Sequence, residues 1–224
     1  IDAAINIRGL KRMAVDNAPA NTVPVPEKAE TTGKRIAIIG GGPSGLAAAY
    51  YLELMGHHAV VFEAKSKLGG MLRYGIPSYR FPRERLDQDI EAILSTGVEV
   101  HLNTKIGSGE GEVPFNKLRE EYDAVYIAIG AHEDKKVGIE GEDSKGVISA
   151  VEMLGSIGEE IMPDFKDKTV VVVGGGNVAM DCTRSAIRLG AKKVTIAYRR
   201  RKSDMTALPE EIEGAVAEGA ELYE

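Results

Sequence analysis

Arg35-Ile36-Ala37-Ile38-Ile39-Gly40-Gly41-Gly42-Pro43-Ser44-Gly45 decides the fold. Its first five residues, Arg35 to Ile39, read as a short apolar strand. The glycines that follow stand in the GxGxxG spacing, at Gly40, Gly42 and Gly45. In that spacing the first glycine permits a tight turn, the second lets the backbone approach a pyrophosphate, and the third lets helix pack on strand. Helix-forming residues Leu46 to Met55 come next, with Pro43 and Ser44 at the helix entrance, and His58 to Glu63 is a second strand. The whole is a βαβ unit of about 30 residues, the size a parallel crossover needs. A pyrophosphate would sit on the helix N-terminus, where free N–H groups and the positive dipole end favour an anion. Glu63, with Ala64 beside it, falls in the interval of about 20 residues expected for a ribose-binding carboxylate. A carboxylate accepts from both ribose hydroxyls and would repel a 2′-phosphate. The glycine spacing alone is weak; strand before, helix after and acid at the next strand end make it a dinucleotide site.

A second unit repeats the pattern late in the chain. Thr169 to Val173 is an almost pure valine strand, and Gly174, Gly176 and Ala179 form a GxGxxA turn. Asn177 and Val178 lie inside the turn, Met180 to Leu189 is its helix, and Lys193 to Tyr198 is the next strand. No acid closes that strand; the sequence runs Ala197-Tyr198-Arg199-Arg200-Arg201. Arginines in place of the acid are the signature of a 2′-phosphate pocket, because guanidinium binds phosphate as a two-pronged fork. This favours NADP(H), with NAD(H) as the alternative. Two dinucleotide sites on one chain imply a tightly held flavin at the first turn, read as FAD, and an exchangeable nicotinamide cofactor at the second. The protein then orients the rings and excludes water while the cofactors carry the chemistry. No catalytic acid or base is required, and no nucleophile elbow, zinc-ligand spacing or CxxC is present.

Outward from these units the reading is coarser. Ile5 to Ala14 is a short amphipathic helix, and Asn17 to Gly33, with Pro19, Pro24 and Pro26, is an extended connector. Lys67 to Pro82 is irregular, Pro82 to Ser95 a polar helix, Val98 to Leu102 a strand, and Tyr122 to Ile129 a further apolar strand ending at Gly130. The expected class is α/β, with two Rossmann-like domains built on parallel sheets. Expected boundaries are a helix and linker over 1–33, an FAD domain over 34–148 and an NAD(P)H domain over 149–224. The 224 residues carry 43% apolar side chains, enough for a sizeable core, and a formal net charge of -6, which argues against nucleic acid. No apolar run approaches the roughly 18 residues of a membrane helix. A single cysteine, Cys182, rules out a disulfide framework and favours a cytoplasmic address. A start at Ile1 and an end at Glu224 inside a helical pattern suggest a piece of a longer chain.

The segments Gly69-Gly70-Met71-Leu72-Arg73-Tyr74-Gly75-Ile76-Pro77 and Gly174-Gly175-Gly176-Asn177-Val178-Ala179-Met180-Asp181 are more specific than generic turns. With Ala197 to Arg201 they resemble the small (β) subunit family of NADPH-dependent glutamate synthase, from about Ile5 onward. The same module occurs in the large subunit of NADH-dependent reduced ferredoxin:NADP oxidoreductase and in the N-terminal part of dihydropyrimidine dehydrogenase. The resemblance implies an FAD domain interrupted by an inserted NADPH domain. It assigns Gly40 to Gly45 and Glu63 to the FAD pyrophosphate and ribose, Gly70, Met71 and Leu72 to the flavin side, and Ile106 to the adenine. Ala128 and Gly130 would close over FAD. Gly176 to Ala179 would hold the NADPH pyrophosphate, Arg199 and Arg200 its 2′-phosphate, and Glu211 is a candidate nicotinamide-nucleotide contact. Members of that family carry iron–sulfur domains or partners; the cysteines for such clusters are not in this sequence. The implied partners are therefore other domains or subunits bearing iron–sulfur centres.

Other residues have plainer readings. Cys182 is expected to be a small buried hydrophobe, and His57 and His58 loop residues before a strand. Glu210, Glu211 and Glu213 read mostly as a solvated helix face, and Tyr74 to Phe81 as either a core-packing loop or a flap over the flavin, the resemblance implying the second. The competing function is a non-catalytic docking module of a multi-subunit oxidoreductase.

Overall fold

In a computed structural model, which describes residues 5–18 and 26–224, the strand–turn–helix units form as read. The order of elements begins with α1 (Ile7–Asp16), β1 (Arg35–Ile39), α2 (Pro43–Leu54), β2 (His58–Phe62), α3 (Met71–Tyr74) and α4 (Arg83–Leu94). It continues with β3 (Glu99–His101), α5 (Phe115–Glu121), β4 (Ala124–Ile127) and α6 (Ala150–Gly158). The last elements are β5 (Thr169–Val173), α7 (Asn177–Arg188), β6 (Lys193–Ala197), a 3-10 turn at Lys202–Asp204, α8 (Pro209–Ala217) and β7 (Glu221–Tyr223).

Two parallel sheets result, one ordered β3-β2-β1-β4 and one ordered β5-β6-β7. The α/β class with parallel sheets is thus the observed one. In the first sheet Ile38 and Val61 face α2 and α4, meeting Leu46, Ala49, Leu86 and Ile90. Ala37, Ile39, Val60 and Phe62 pack on the other face with Leu118 of α5. Burial on both faces is what a parallel sheet flanked by crossovers requires. In the second sheet, Val170, Val172, Val194 and Ile196 pack against α6, α7 and α8, whereas Val171 and Val173 stay exposed.

Several expectations shift. The first helix runs two residues later than read, its N-cap Asn6 side chain accepting from the Gly9 amide at 2.9 Å. Pro19 and Pro24 of the connector lie outside the described residues. From Pro26 the chain is extended and tied down, with the Ala29 and Thr32 amides donating to Leu54 and Gly56 carbonyls. Helix α2 starts at Pro43 rather than Leu46, since proline at N1 has no amide to lose. The irregular stretch after Lys67 contains α3, and the short helices α5 and α6 were not anticipated. The helical reading of the C-terminal end is overturned. Helix α8 stops at Ala217, Gly219 adopts φ +106, and Glu221–Tyr223 joins β6 as a parallel strand, with Leu222 packed into the core.

Candidate functional site

At the C-terminal edge of the first sheet, three strand ends converge on the first glycine turn. Gly40, at φ +106, donates its amide to the Phe62 carbonyl, and a β-carbon there would collide with the Ala128 carbonyl oxygen. Gly45 abuts the carbonyl of Gly40 so closely that a β-carbon would overlap its oxygen. Gly42 caps α2 and differs from both. The nearest atom to a β-carbon at Gly42 is the Gly70 α-carbon at 3.6 Å, an ordinary contact distance, so crowding does not demand glycine there. Pro43 and Ser44 form the exposed first turn of α2, where backbone amides lack helical partners. The Ser44 hydroxyl lies 3.1 Å from the Tyr126 hydroxyl of β4.

Glu63 stands one residue past β2, which ends at Phe62 rather than at Glu63 as read, and it is buried. Its carboxylate accepts from the Gly41 amide at 2.7 Å and from the Lys65 amide at 2.8 Å, so it braces the turn from beneath. Ala64, next along, is exposed. Gly70, at φ +52, caps α3 and would press a β-carbon to 2.7 Å from Gly42. Met71 and Leu72 are half-buried, and Leu72 packs partly into the first core. Ala128 donates its amide to the Ile39 carbonyl and lies beside Gly40; Gly130, just beyond, is exposed. Ile106 pairs with Val113 and packs beside Phe62, past the end of β3. The sequence-read residues of the first unit are therefore neighbours at one sheet edge, the place where open α/β sheets take their ligands.

The second turn repeats the arrangement with different supports. The Gly174 amide donates to the Ala197 carbonyl, and the Ala179 β-carbon fits at 3.4 Å from a β-carbon built on Gly174. Gly176 caps α7, and only the Thr206 hydroxyl, at 3.6 Å, comes near its β-carbon direction. The segment after β6 wraps the turn. Thr206 and Ala207 amides both donate to the Gly175 carbonyl, and the Asn177 side chain accepts from the Leu208 amide at 2.9 Å. Asn177 is thus committed to shaping the turn, while Val178 is exposed beside it. Arg199 and Arg200 are exposed, and neither has an ion pair among the described residues. Arg201 differs, reaching Asp204 at 3.2 Å.

Glu211 departs from the sequence reading. It is not part of a solvated face: its carboxylate meets Arg80 at 3.1 Å and Arg184 at 2.8 Å. Glu210 does face solvent and pairs with Arg8 of α1. His58 opens β2, beside Glu99 at 3.0 Å, as the strand read from His58 has it, and only His57 lies in the turn before. Cys182 is buried as read, and burial pushes its thiol up to about 12. Arg80 and Asp181 are the residues that sequence reasoning missed. Asp181 is buried on α7, its carboxyl raised by burial despite the Arg80 guanidinium beside it. No local pattern marks such a pair; an aspartate on the apolar side of an amphipathic helix is the one available hint. Among the described residues, no helix is long and apolar enough to cross a membrane.

A family model described as pyridine nucleotide-disulphide oxidoreductase matches residues 29–221. The NADP(+)-dependent formate dehydrogenase subunit beta of Moorella thermoacetica is 42% identical, over 98% of this chain and 34% of that protein. The glutamate synthase [NADPH] small chain of Escherichia coli (strain K12) is 39% identical, over 85% of this chain and 42% of that one. The chain spans about a third of the first relative's length and well under half of the second's. The resemblance read from Gly69 to Pro77 and Gly174 to Asp181 is borne out by the second. Among solved structures, Mycobacterium tuberculosis FprA in complex with NADPH superposes with a TM-score of 0.69 at 25% identity, over 84% of this chain and 48% of that one. With nearly all of its described length inside the family match, the chain belongs to the pyridine nucleotide-disulphide oxidoreductase family.

Proposed function

We propose that this chain is the part of a flavoprotein oxidoreductase in which NADPH passes a hydride to FAD, the electrons leaving to iron–sulfur centres of a larger complex. One observation carries the reading: both strand–glycine–helix units leave their middle glycine, Gly42 and Gly176, uncrowded, a β-carbon at each meeting a single atom at an ordinary 3.6 Å, so the fold itself does not require glycine there. Glycine where the fold can spare it is what a pyrophosphate cradle requires, and it occurs twice. When bound, the flavin accepts a hydride and can release electrons onward. The chain's residues bind and orient. Gly40, Gly42, Pro43, Ser44 and Gly45 would hold the FAD pyrophosphate, with Glu63 and Ala64 toward the ribose and Ile106 toward the adenine. Gly70, Met71 and Leu72 would flank the flavin, and Ala128 and Gly130 close the edge. Gly174, Gly176, Asn177, Val178 and Ala179 would hold the NADPH pyrophosphate, with Arg199 and Arg200 on its 2′-phosphate. Glu211 stays the weaker candidate for a nicotinamide-nucleotide contact, its two carboxylate oxygens being engaged by Arg80 and Arg184 as those of Glu63 are by two backbone amides.

The corresponding division of the chain is 34–148 for FAD and 149–224 for NADPH, after an N-terminal helix and linker. Ser149 supports that boundary, since it caps α6, whose Met153 and Leu154 belong to the core around α7. The names of the relatives support NADPH over NADH and a multi-subunit setting. A cytoplasmic address fits the lone, buried cysteine. The test is colour. The full-length parent chain should purify yellow and bleach on anaerobic addition of NADPH. Bound flavin that NADPH cannot reduce, or a colourless protein that takes up no FAD, would favour the docking-module reading instead.

A further inference from the structure

The segment Ile76 to Pro82 joins α3, on the flavin side, to α4, and its arginine reaches across to the second unit. Arg80 Nη1 donates to both carboxylate oxygens of Asp181 on α7, at 2.9 and 2.8 Å. Its Nε lies 3.1 Å from Glu211 Oε1 on α8. Glu211 Oε2 in turn accepts from Arg184 Nη1 at 2.8 Å, and Arg184 and Arg188 stack on the Tyr79 ring at 4.9 and 4.2 Å. The carboxylates are well shielded, Asp181 being 5% and Glu211 13% exposed. These charges are partly shielded between the units, and Arg184 extends the network to Glu218 at 2.7 Å, which also pairs with Arg188.

We propose that Arg80 is a positioning residue: it clasps the flavin-side segment to the nicotinamide-nucleotide helix and so sets the distance between the two reacting rings. The inference rests on the function proposed above and adds to it the residue that couples the two sites. A short path of contacts connects them. Gly42 of the first turn touches Gly70, the cap of α3. Arg83 pins the segment that follows, donating to the Leu72 carbonyl at 2.8 Å and the Ile76 carbonyl at 2.7 Å. Arg80 then grips Asp181 in the second turn of α7, the helix that Gly176 opens. Neither end of that path can shift without moving the other or breaking a shielded ion pair. Hydride transfer depends steeply on the spacing of the rings, and a misplacement of about 1 Å can cost on the order of a hundredfold in rate.

The experiment uses the full-length chain loaded with FAD, in wild-type form and as Arg80→Ala, Arg80→Lys, and Arg80→Met combined with Asp181→Asn. The double variant removes both charges together, so no buried charge is left alone. Anaerobic stopped-flow measures the limiting rate of flavin bleaching at saturating NADPH and the NADPH dissociation constant; dithionite reduction and FAD content are controls. In Arg80→Ala and the double variant the limiting rate should fall by about tenfold or more, on the scale that misplacement implies. The dissociation constant, FAD content and dithionite reduction should change by less than about threefold, under 1 kcal/mol, and Arg80→Lys should recover part of the rate. Two outcomes would overturn the clasp: an unchanged limiting rate in both variants, or loss of FAD in both, which would mark the network as a folding element. Failure of NADPH to bleach the wild-type flavin would refute the proposed function itself, a result distinct from either.

Discussion

The carbonyl oxygen of Gly40 and the α-carbon of Gly45 touch across the first turn, leaving no room for a β-carbon between them. That contact seats α2 on the end of β1 and aims the helix N-terminus outward from the sheet edge. Gly42, between them in sequence, is under no such pressure, its nearest neighbour being the Gly70 α-carbon at 3.6 Å. One glycine is needed by the fold, and the other is not.

Alanine at the two positions should therefore have opposite consequences. Gly45→Ala must overlap backbone and is expected to destabilise the apoprotein by about 2 kcal/mol or more, in the range of overpacked cores. Gly42→Ala, at φ -82, keeps an ordinary backbone conformation and should cost the apoprotein about 1 kcal/mol or less. Its β-carbon would instead occupy the pyrophosphate space, weakening FAD by about tenfold or more, near 1.4 kcal/mol. Thermal melts of apoprotein with FAD titrations separate the two. Equal melting losses for both variants would show that Gly42 is not part of a ligand cradle.

Among the described residues Arg199 and Arg200 have no ion-pair partner to lose, so removing them tests the ligand directly. A charge-assisted hydrogen bond contributes about 1.5–3 kcal/mol, so Arg199→Ser with Arg200→Ser should weaken NADPH roughly ten- to a hundredfold. NADH, without the 2′-phosphate, should shift by little. Dissociation constants for both nucleotides, measured at one salt concentration, decide the matter; a parallel loss would remove these arginines from the 2′-phosphate.

The turns were legible because their chemistry is local: strand, glycines and helix are consecutive, and β1, β5 and β6 each begin one residue before their apolar runs, at Arg35, Thr169 and Lys193. Glu63 was legible for the same reason, since a fixed crossover length brings the end of β2 beside the turn. Helix α5 was missed because its charged sequence buries only Leu118, too little to make a period. The β7 strand was missed because its partner is β6, and no feature within Glu221–Tyr223 announces that pairing. Glu211 was misread among neighbouring glutamates, for its burial depends on Arg80 far away in sequence. What requires two distant segments to meet is invisible to spacing.

Cys182 offers a pH test. Its thiol is buried against α6 and β6, and burial pushes it up to about 12, well above an ordinary thiol at about 8.5. Thiolate is the reactive species, so the native protein should resist alkylation at mildly alkaline pH and react once unfolded. The raised value also fixes the sign of the stability effect. The contribution is fully present below about 8.5 and is lost as pH climbs toward 12, because the unfolded chain releases the proton first. Cys182→Ala should flatten that alkaline decline, by at most about 1.4 kcal/mol per pH unit, whatever its cost at neutral pH. Rapid native alkylation, or an unchanged alkaline slope, would contradict the buried placement.

Tyr79 gives the last prediction, and its direction runs against the usual expectation for a core tyrosine. Its ring lies under Arg184 and Arg188, but its buried hydroxyl makes no hydrogen bond of good geometry among the described residues, the Ser185 side chain being the nearest polar neighbour that acts on it. Burial and the nearby Asp181 charge push that hydroxyl up to about 12, so it stays protonated across the physiological range. An unsatisfied buried polar group costs about 1–3 kcal/mol, whereas the aromatic face under the guanidinium groups is kept by phenylalanine. Tyr79→Phe is therefore expected to leave stability unchanged or raise it by about 1 kcal/mol. Tyr79→Ala should lose the ring contacts and destabilise by about 3 kcal/mol, as deletion of a buried aromatic side chain does. Denaturant melts of both variants test this. A Tyr79→Phe protein less stable than wild type would mean that the hydroxyl does have a partner in solution, with the Ser185 side chain the first place to look.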